Sequence, residues 1–247
     1  MRDGVRTVVV TGGSRGIGAA TAALLAERGW DVVITYRDRE DDAAAVVAAC
    51  TAHGRRALAV AADLARPDAV DTMWAEIDRQ VGPIDALVNN AGIVSPSARV
   101  EGYDAERLRR IFDLNVIGAF LVAAGAVRRL STAHGGAGGV IVNVSSRAAQ
   151  LGSADEYVDY AASKAALDTF TVGLANEVAG DGIRVVAVRP GLIETEIHEP
   201  GRLDRLGSTP PLGRPGTARE VAAAIAWLLS GEASYVTGAL LDVGGGR

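Results

Sequence analysis

The stretch Thr7-Val8-Val9-Val10-Thr11-Gly12-Gly13-Ser14-Arg15-Gly16-Ile17-Gly18 decides the fold. Its β-branched run at 7–10 is typical of a strand buried on both faces of a parallel sheet. Glycines at 12, 16 and 18 follow, and residues 19–28 then read as a helix that ends at a glycine. Such a unit can bind a pyrophosphate, because glycines allow close backbone approach and the helix N-terminus offers free N–H groups. A tight turn that only packs the helix on the strand is the alternative.

Strands and helices alternate outward from this unit along the whole chain. Further strands are predicted at 31–36, 57–61, 84–88, 140–144, 184–189 and 239–243, with helices at 39–53, 68–81, 104–130, 219–229 and around Tyr160. We therefore predict an α/β fold, a single Rossmann-type doubly wound domain with a seven-stranded, mostly parallel sheet and helices on both faces. The domain is expected to span 1–247, with a cofactor half of about 1–145 and a catalytic and substrate half of about 146–247. Residues 192–215, rich in proline, glycine and charge, are predicted to form a lid.

Composition excludes several classes of function. The 247 residues carry a net charge of −5 and no cluster of lysine and arginine, so neither nucleic acid nor an anionic membrane is expected as a partner. Cys50 is the only cysteine, which excludes an intrachain disulfide and a multi-cysteine metal site, and no metal is expected. The N-terminus lacks a secretory h-region and no uncharged apolar run reaches about 18 residues. We expect a cytoplasmic protein.

A tyrosine and a lysine four residues apart are the first catalytic candidates. In a helix, Tyr160 and Lys164 project from the same face. A nearby ammonium favours the phenolate and lowers the pKa of a tyrosine, which makes the side chain useful as an acid or base near neutral pH. The alternative is a half-buried tyrosine beside a solvated lysine.

The end of the second predicted strand bears on the choice of cofactor. Tyr36 and Arg37 stand where NAD-binding sites place an acidic side chain for the ribose 2′-OH. Two guanidiniums, Arg37 and Arg15 in the glycine loop, suit a 2′-phosphate better than a bare ribose. Asp38 keeps the NAD alternative open, as does the possibility that Arg37 is a solvated loop charge.

Other polar residues follow predicted strands or interrupt an apolar helix face. Asp63 could accept a hydrogen bond from an adenine amino group or cap the next helix. In the run at 89–92, Asn-Asn-Ala-Gly, the amides could join neighbouring strands and the small residues could leave room for a flat ligand. The alternative is an ordinary turn. Asn115 lies in an apolar helical stripe, so its amide is either satisfied by the backbone or takes part in chemistry. Ser145 and Ser146 end the fifth strand.

Taken in order, these motifs resemble the classical short-chain dehydrogenase/reductase family over nearly the whole chain, and the glucose-dehydrogenase-like and 3-oxoacyl-carrier-protein-reductase-like subgroup in particular. One departure concerns the serine, because the usual family gap of twelve residues before the tyrosine falls on Arg147. Ser146, with a gap of thirteen, is the better candidate and Ser145 the weaker one, which implies a one-residue insertion within 151–159.

The resemblance implies a role for each matching residue. Tyr160 would be the general acid in carbonyl reduction, Lys164 would lower its pKa and bind the nicotinamide ribose, Ser146 would hold the substrate oxygen, and Asn115 would order a relay water. The cofactor contacts it implies are Gly12, Ser14, Arg15, Gly16, Ile17, Gly18, Tyr36, Arg37, Asp63, Leu64, Asn90, Ala91, Gly92, Tyr160, Lys164, Pro190, Gly191, Ile193 and Thr195. The residues expected to border the substrate pocket are Arg147, Gln150, Tyr157, Ile193 and His198.

The function that this resemblance implies is hydride transfer between NADP(H), with NAD(H) possible, and a small carbonyl or alcohol substrate. The alternatives are an NAD-dependent alcohol or sugar dehydrogenase, a nicotinamide-binding regulator without catalysis, and a dehydratase or epimerase on the same fold. A homotetramer or dimer is also implied, with the helices that carry Asn115 and Tyr160 packed against their symmetry mates.

Overall fold

The structure, a computed structural model, describes residues 4–197, 199 and 201–247. The strands in chain order are β1 (Thr7–Val10), β2 (Asp31–Tyr36), β3 (Ala57–Ala61), β4 (Ala86–Asn89), β5 (Gly139–Val144), β6 (Ile183–Pro190), β7 (Ile193–Glu194), β8 (Gly216–Thr217) and β9 (Leu240–Val243). The helices are α1 (Gly16–Glu27), α2 (Glu40–Thr51), α3 (Pro67–Gln80), α4 (Ala105–Phe112), α5 (Ala119–Leu130), α6 (Ala148–Leu151), α7 (Val158–Val178), α8 (Arg202–Leu206) and α9 (Ala218–Leu228).

Seven strands form one parallel sheet in the order β3-β2-β1-β4-β5-β6-β9. The strand order reverses between β1 and β4, and this switch point is where open α/β sheets bind ligands. The prediction of a seven-stranded Rossmann-type sheet is confirmed. The sheet could be predicted from the sequence because each strand is an apolar run bounded by turn residues.

Successive side chains along each strand lie on opposite faces of the sheet and pack into two separate hydrophobic cores. Val8 and Val10 of β1 face a cluster that contains Leu25 of α1 and Ile225 of α9, whereas Val9 faces the opposite cluster. That second cluster packs side chains of α3, α5 and α7, including the fully buried Trp74. Helices therefore cover both faces of the sheet, as predicted, and the two cores fix the carboxyl ends of the strands at one edge.

Helix α1 begins at Gly16, three residues before its predicted start. The glycines of the loop are therefore also the first turn of the helix, where backbone N–H groups have no intrahelical partner. Close packing requires glycine here, since a Cβ on Gly18 would lie 2.3 Å from the carbonyl oxygen of Gly12.

The long helix predicted at 104–130 is interrupted at its middle. A π-helical turn at Asp113–Gly118 separates α4 from α5 and contains Asn115. The whole segment Ala105–Leu130 is long and apolar enough, by length and composition alone, to cross a membrane. Core helices of globular proteins pass the same test, and much of this segment packs inside the protein, with Val122, Ala123 and Ala126 fully buried.

The predicted lid, 192–215, contains regular structure that the sequence analysis did not anticipate. Strand β7 pairs in parallel with β8 in a separate two-stranded sheet, and α8 lies between them. The segment then joins α9 through a capping box, in which Thr217 and Glu220 satisfy each other's backbone N–H groups. His198, expected at the pocket border, lies outside the described residues.

Candidate active site

Two neighbouring cavities open at the switch point of the sheet. The larger is a cleft of about 420 Å³ between the glycine loop, the ends of β2 and β3, and the segment after β7. The smaller, about 150 Å³, lies between the ends of β5 and β6 and the first turns of α7. Ile17, Asn90, Gly92 and Thr195 border both, so the two cavities form one continuous crevice.

Most of the residues that the sequence analysis named as cofactor contacts lie along this crevice. The large cleft is lined by Gly12, Ser14, Arg15, Gly16, Ile17, Tyr36, Arg37, Asp63, Leu64, Asn90, Ala91, Gly92 and Thr195. The small pocket is lined by Ser146, Tyr160, Lys164, Pro190, Gly191, Ile193 and Thr195, among others. Gly18 borders neither, because its role is the close contact with Gly12.

The glycine loop is held by hydrogen bonds from β2 and from the end of β4. The N–H groups of Gly12 and Gly13 donate to Thr35 at 3.2 and 2.9 Å. Asn90 donates from its side chain to the carbonyl oxygens of Thr11 and Gly12, at 2.9 and 3.1 Å. Gly12 and Gly16 have φ of 61° and 55°, which glycine adopts without strain. The loop is thus fixed in a shape that presents backbone to the cleft.

Buried amides tie the strand ends together beneath the site. Asn89 donates to the carbonyl oxygen of Ala119 at 2.8 Å and to the Asn143 amide oxygen at 3.2 Å. Asn143 in turn donates to Thr171 of α7 at 2.9 Å. The expectation that strand-end amides join neighbouring strands is confirmed for Asn89. The sequence analysis missed Asn143, although a lone amide within an apolar strand was a signal.

Asn115 is fully buried and fully hydrogen-bonded. Its amide accepts from the N–H of Ile93 at 2.9 Å and donates to the carbonyl oxygen of Ile93 at 2.9 Å and to Ser163 at 3.1 Å. Of the two possibilities left open by the sequence, the side chain is satisfied by the backbone. A Cβ on Gly92 would lie 3.3 Å from the Asn115 oxygen and 3.2 Å from Lys164 Nζ, so these groups are neighbours.

The two candidate serines have different surroundings. Ser145 is buried and donates to the backbone carbonyl oxygen of Lys164 at 3.1 Å. Ser146 lines the pocket and is hydrogen-bonded to the Tyr160 hydroxyl. Helix α6 and a turn with positive φ at Ser153 and Asp155 occupy the stretch between Ser146 and Tyr160. The geometry therefore brings Ser146, and not Ser145, to the tyrosine.

Lys164 is buried, and its ammonium donates to the carbonyl oxygen of Val144 at 2.8 Å. Burial lowers its pKa to about 8, against the opposing effect of the Asp168 carboxylate, which raises it. Lys164 Nζ lies 5.8 Å from the centre of the Tyr160 ring. Burial raises the pKa of the Tyr160 phenol, and the hydrogen bond with Ser146 opposes that rise. The expected lowering by Lys164 is therefore wrong for this geometry, because desolvation is the larger effect.

At the other end of the crevice, Arg15 and Arg37, the two guanidiniums expected near a 2′-phosphate, both line the large cleft. Arg37 is held by Asp38 at 2.5 Å. Arg15 and Arg39 instead converge on one carboxylate, Glu196, at 3.2 and 3.1 Å. Arg39 had been assigned only to the start of a helix, and no local pattern connects it with Glu196 in the lid.

Comparison with known proteins agrees with this architecture. Residues 12–247 match the family model described as enoyl-(acyl carrier protein) reductase. The chain is 51% identical over 243 residues to the uncharacterized oxidoreductase YgfF of Escherichia coli strain K12, covering 97% of this chain and 98% of that protein. It is 41% identical over 244 residues to cis-4-hydroxycyclohexanecarboxylate dehydrogenase of Sinomonas cyclohexanicum, covering 98% and 96% of the two chains.

The chain belongs to the classical short-chain dehydrogenase/reductase family.

Solved structures of this short-chain dehydrogenase/reductase family superpose on it closely. A short-chain dehydrogenase from Burkholderia cenocepacia in complex with NADP is 36% identical, with a TM-score of 0.90 and coverage of 98% and 97% of the two chains. A 3-ketoacyl-(acyl-carrier-protein) reductase from Brucella melitensis complexed with NADH is 34% identical, with a TM-score of 0.91 and coverage of 98% of each. The protein is thus a nicotinamide-dependent oxidoreductase, and the resemblance to the 3-oxoacyl-carrier-protein-reductase-like members is confirmed.

The crevice has the chemistry that a nicotinamide dinucleotide requires. Gly12 and Gly16 line the cleft, and α1 begins at Gly16, so the first turn of the helix, whose N–H groups have no intrahelical partner, lies where a pyrophosphate would bind. Cations stand at one end of the large cleft, and Tyr160, Ser146 and Lys164 stand in the small pocket at the other. The residues present therefore fit such a cofactor.

Proposed function

We propose that the protein is an NADP(H)-preferring reductase of a small carbonyl compound, with Tyr160 as its proton donor. The observation that carries the proposal is the juxtaposition of Ser146, Tyr160 and Lys164 in a pocket continuous with an arginine-lined cleft. The same residues would serve alcohol oxidation in reverse, so an NAD-dependent alcohol or sugar dehydrogenase is the alternative that the experiments below distinguish.

The bound nicotinamide would supply the hydride that adds to the carbonyl carbon. Tyr160 would give its phenolic proton to the carbonyl oxygen, so that one hydride and one proton convert the carbonyl to an alcohol. Burial favours the neutral phenol and so keeps this proton in place before the reaction. Ser146 would donate a hydrogen bond to the same oxygen and align it with the phenol.

Lys164 would restore the proton to Tyr160, and Asn115 would support Lys164. The Lys164 ammonium lies next to the Asn115 amide and points into the crevice beside Gly92. A pKa of about 8 places Lys164 close to neutrality, where it can both lose and regain a proton. Because the Asn115 side chain is occupied by Ile93 and Ser163, its part would be to fix Lys164 and the π-helical turn in place.

The preference for NADP(H) would come from Arg15 and Arg39, with Arg37 in support. A 2′-phosphate carries more charge than the single Glu196 carboxylate that these two guanidiniums share. Guanidinium pairs bind phosphate in a planar, bidentate way that a bare ribose cannot match. Tyr36, Asp63 and Leu64 would flank the adenosine, as their positions along the cleft suggest.

We further propose that one domain carries all of this, that residues 192–215 act as a lid, and that the protein works as a cytoplasmic homotetramer or dimer. Exposed apolar side chains on α5 and α7 support the oligomer, namely Leu121 and Val172 with exposures of 37% and 41%. Light scattering tests it, and a monomer mass at working concentration would refute it.

The decisive experiment follows NADPH and NADH oxidation with a panel of ketones and aldehydes, for the wild type and Tyr160→Phe. The variant should bind NADPH as the wild type does, by fluorescence titration, and lose about 10²- to 10⁴-fold in turnover. Turnover that survives in Tyr160→Phe would show that another group donates the proton. Faster oxidation of an alcohol by NAD⁺ than any carbonyl reduction would favour the alternative.

A further inference from the structure

The small pocket has an unusual distribution of charge. The described residues that line it include four with cationic side chains and no aspartate or glutamate, the cations being Arg147, Lys164, Arg202 and Arg247. Lys164 already has a place in the proposed chemistry, and Arg147 is bound to Asp242 at 2.6 Å. Arg202, on the first turn of α8, has one guanidinium donor that its described neighbours leave unpaired.

Arg202 is largely buried against the pocket wall, with 11% of its side chain exposed. One terminal nitrogen pairs with Glu156 at 2.5 Å, and the guanidinium carbon lies 4.8 Å from the centre of the Tyr157 ring. Its Nε is buried and has no hydrogen-bond partner among the residues that the structure describes. A buried charged donor left without an acceptor is costly, which points to an acceptor that comes from outside the protein.

The carboxylates nearest to these cations stand behind them and do not line the pocket. Glu156 accepts from both Arg202 and Arg205, so one carboxylate serves two guanidiniums. Glu199, whose charge is felt at Tyr157, accepts from the backbone N–H of Ser97 at 2.8 Å. Cationic side chains therefore line the cavity, whereas Glu156 and Glu199 do not, and this distribution favours an anionic ligand.

The remainder of the wall is mostly apolar. Val94, Leu151, Leu192, Ile193 and Ile197 line the pocket together with the buried Tyr157. Such a wall binds an apolar body, and a guanidinium with a free Nε matches the planar oxygens of a carboxylate. The ligand that fits both features has an apolar body and one carboxylate.

We propose that the substrate carries a carboxylate on an apolar body, bound by Arg202, and that the protein is an oxo-acid reductase. This inference rests on the proposed function, since Tyr160 Oη marks where the reacting carbonyl would lie. Arg202 is then the residue that selects the substrate, whereas Ser146 and Tyr160 act on its carbonyl group.

The first test compares 4-oxocyclohexanecarboxylate with its ethyl ester, which has the same ring and ketone without the charge. The wild type should have a kcat/KM for the acid at least about tenfold above that for the ester, as expected for a charge-assisted hydrogen bond. Arg202→Gln should reduce that ratio about 10- to 100-fold, mostly through KM. Arg205→Gln is the matched control, because it lies on the same helix, pairs with the same Glu156 and does not line the pocket.

The second test measures binding without turnover. Calorimetric titration of the NADPH-saturated protein should detect cyclohexanecarboxylate but not cyclohexanecarboxamide, and Arg202→Gln should abolish the difference. Equal binding of the acid and the amide, or equal loss for acid and ester in Arg202→Gln, would overturn the carboxylate proposal. Carboxylate binding that depends on Arg202, without reduction of either ketone, would support the carboxylate site but would overturn both the oxo-acid reductase and the proposed carbonyl reductase.

Discussion

The Asp168 carboxylate lies one helical turn beyond Lys164 and accepts a hydrogen bond of 2.9 Å from Arg189 Nε. Both side chains are nearly buried, at 9% and 11% exposure, and within the described part of the chain the second oxygen of Asp168 has no hydrogen-bond partner. The negative charge of Asp168 thus acts on Lys164 through a low-dielectric interior, while Arg189 holds that charge in position. The Asp168 charge opposes the effect of desolvation on the pKa of Lys164.

Asp168→Asn should lower the pKa of Lys164 below its present value of about 8. The opposing charge raises that pKa, so its removal favours the neutral amine. The ammonium form of Lys164 predominates below this pKa and is lost as pH rises through it. If the reaction needs the ammonium, kcat/KM falls at alkaline pH, and in Asp168→Asn this fall should occur at lower pH than in the wild type. A profile of kcat/KM between about pH 6 and pH 10 measures the shift. In Asp168→Glu, the alkaline fall should return to its wild-type pH.

Loss of the buried pair would also affect stability, and a double variant separates the two effects. Asp168→Asn leaves Arg189 with only Asp242, 3.7 Å away, and we expect a loss of about 3–5 kcal/mol in the free energy of unfolding. The double variant Asp168→Asn with Arg189→Gln should recover most of that loss in stability. Its alkaline fall in kcat/KM should remain at the lower pH of the single variant Asp168→Asn. A wild-type pH profile in the double variant would mean that Asp168 has only a structural role.

Arg39 should matter more than Arg37 for the choice between NADPH and NADH. Arg39 also pairs with Asp42 at 3.1 Å, but it shares Glu196 with Arg15, so two guanidiniums converge on one carboxylate. Arg37 is paired with its neighbour Asp38. Arg39→Gln should reduce the NADPH-to-NADH affinity ratio about 10- to 100-fold, the range for a hydrogen bond to a charged group. Arg37→Gln should have a smaller effect, and the opposite order in fluorescence titrations would contradict the geometry.

Glu196 itself should compete with the cofactor. Its carboxylate, from the predicted lid, joins Arg15 and Arg39 in the absence of a phosphate. All three side chains are exposed, so these ion pairs are weak. Glu196→Gln should therefore raise the affinity for NADPH by only a few-fold, with no change for NADH.

What could be predicted from the sequence was local. Strand β2 was placed to the residue because its apolar run begins after Gly29 and Trp30 and ends at charged residues. Tyr160 and Lys164 were paired correctly because helical spacing alone puts them on one face. The end of β4 was harder, since Asn89 still pairs in the sheet although its side chain is polar.

The remaining features depend on contacts between distant segments. The Asp168–Arg189 pair and the link from Arg39 to Glu196 join elements with no common periodicity. The π-helical turn depends on the fit of Gly118 against the backbone of Leu64, which no pattern in 104–130 reveals. The charges and helix propensities of these residues are compatible with several tertiary contacts. Which contacts form is decided only when the sheet brings the distant segments together.

Gly118→Ala tests whether that close contact maintains the site. The added Cβ would lie 2.1 Å from the carbonyl oxygen of Leu64, which is backbone and cannot move aside freely. We expect a loss of about 1–3 kcal/mol in the free energy of unfolding, as for overpacked cores. Activity should fall as well, because the displaced turn carries Asn115.

Gly173→Ala is the matched control for this prediction. It is an exposed helical glycine in α7, and its added Cβ would meet nothing within 4 Å. Alanine should therefore stabilise the protein by about 0.5–1 kcal/mol through helix propensity. Urea unfolding monitored by circular dichroism compares the two. Equal stability of both variants would mean that the π-helical turn relaxes without cost.

Arg107 should control the first turn of the helix that carries Tyr160. Its guanidinium binds Asp159 at 2.7 Å and the carbonyl oxygen of Pro96 at 2.6 Å, and Asp159 accepts from the Tyr160 N–H at 2.9 Å. The Asp159 side chain is fully buried, so Arg107→Met would leave an unpaired charge inside the protein. We expect a loss of about 3–5 kcal/mol in the free energy of unfolding and a lower kcat, because the phenol is no longer held in position.

The double variant Arg107→Met with Asp159→Asn identifies which effect is electrostatic. Removing both charges eliminates the buried unpaired carboxylate, so the double variant should regain most of the lost stability. It should not regain kcat fully, since Pro96 and the start of α7 are no longer joined through Arg107. Calorimetric melting and steady-state kinetics at saturating substrate measure the two quantities separately. Full recovery of both would show that Arg107 only neutralises Asp159 and does not position Tyr160.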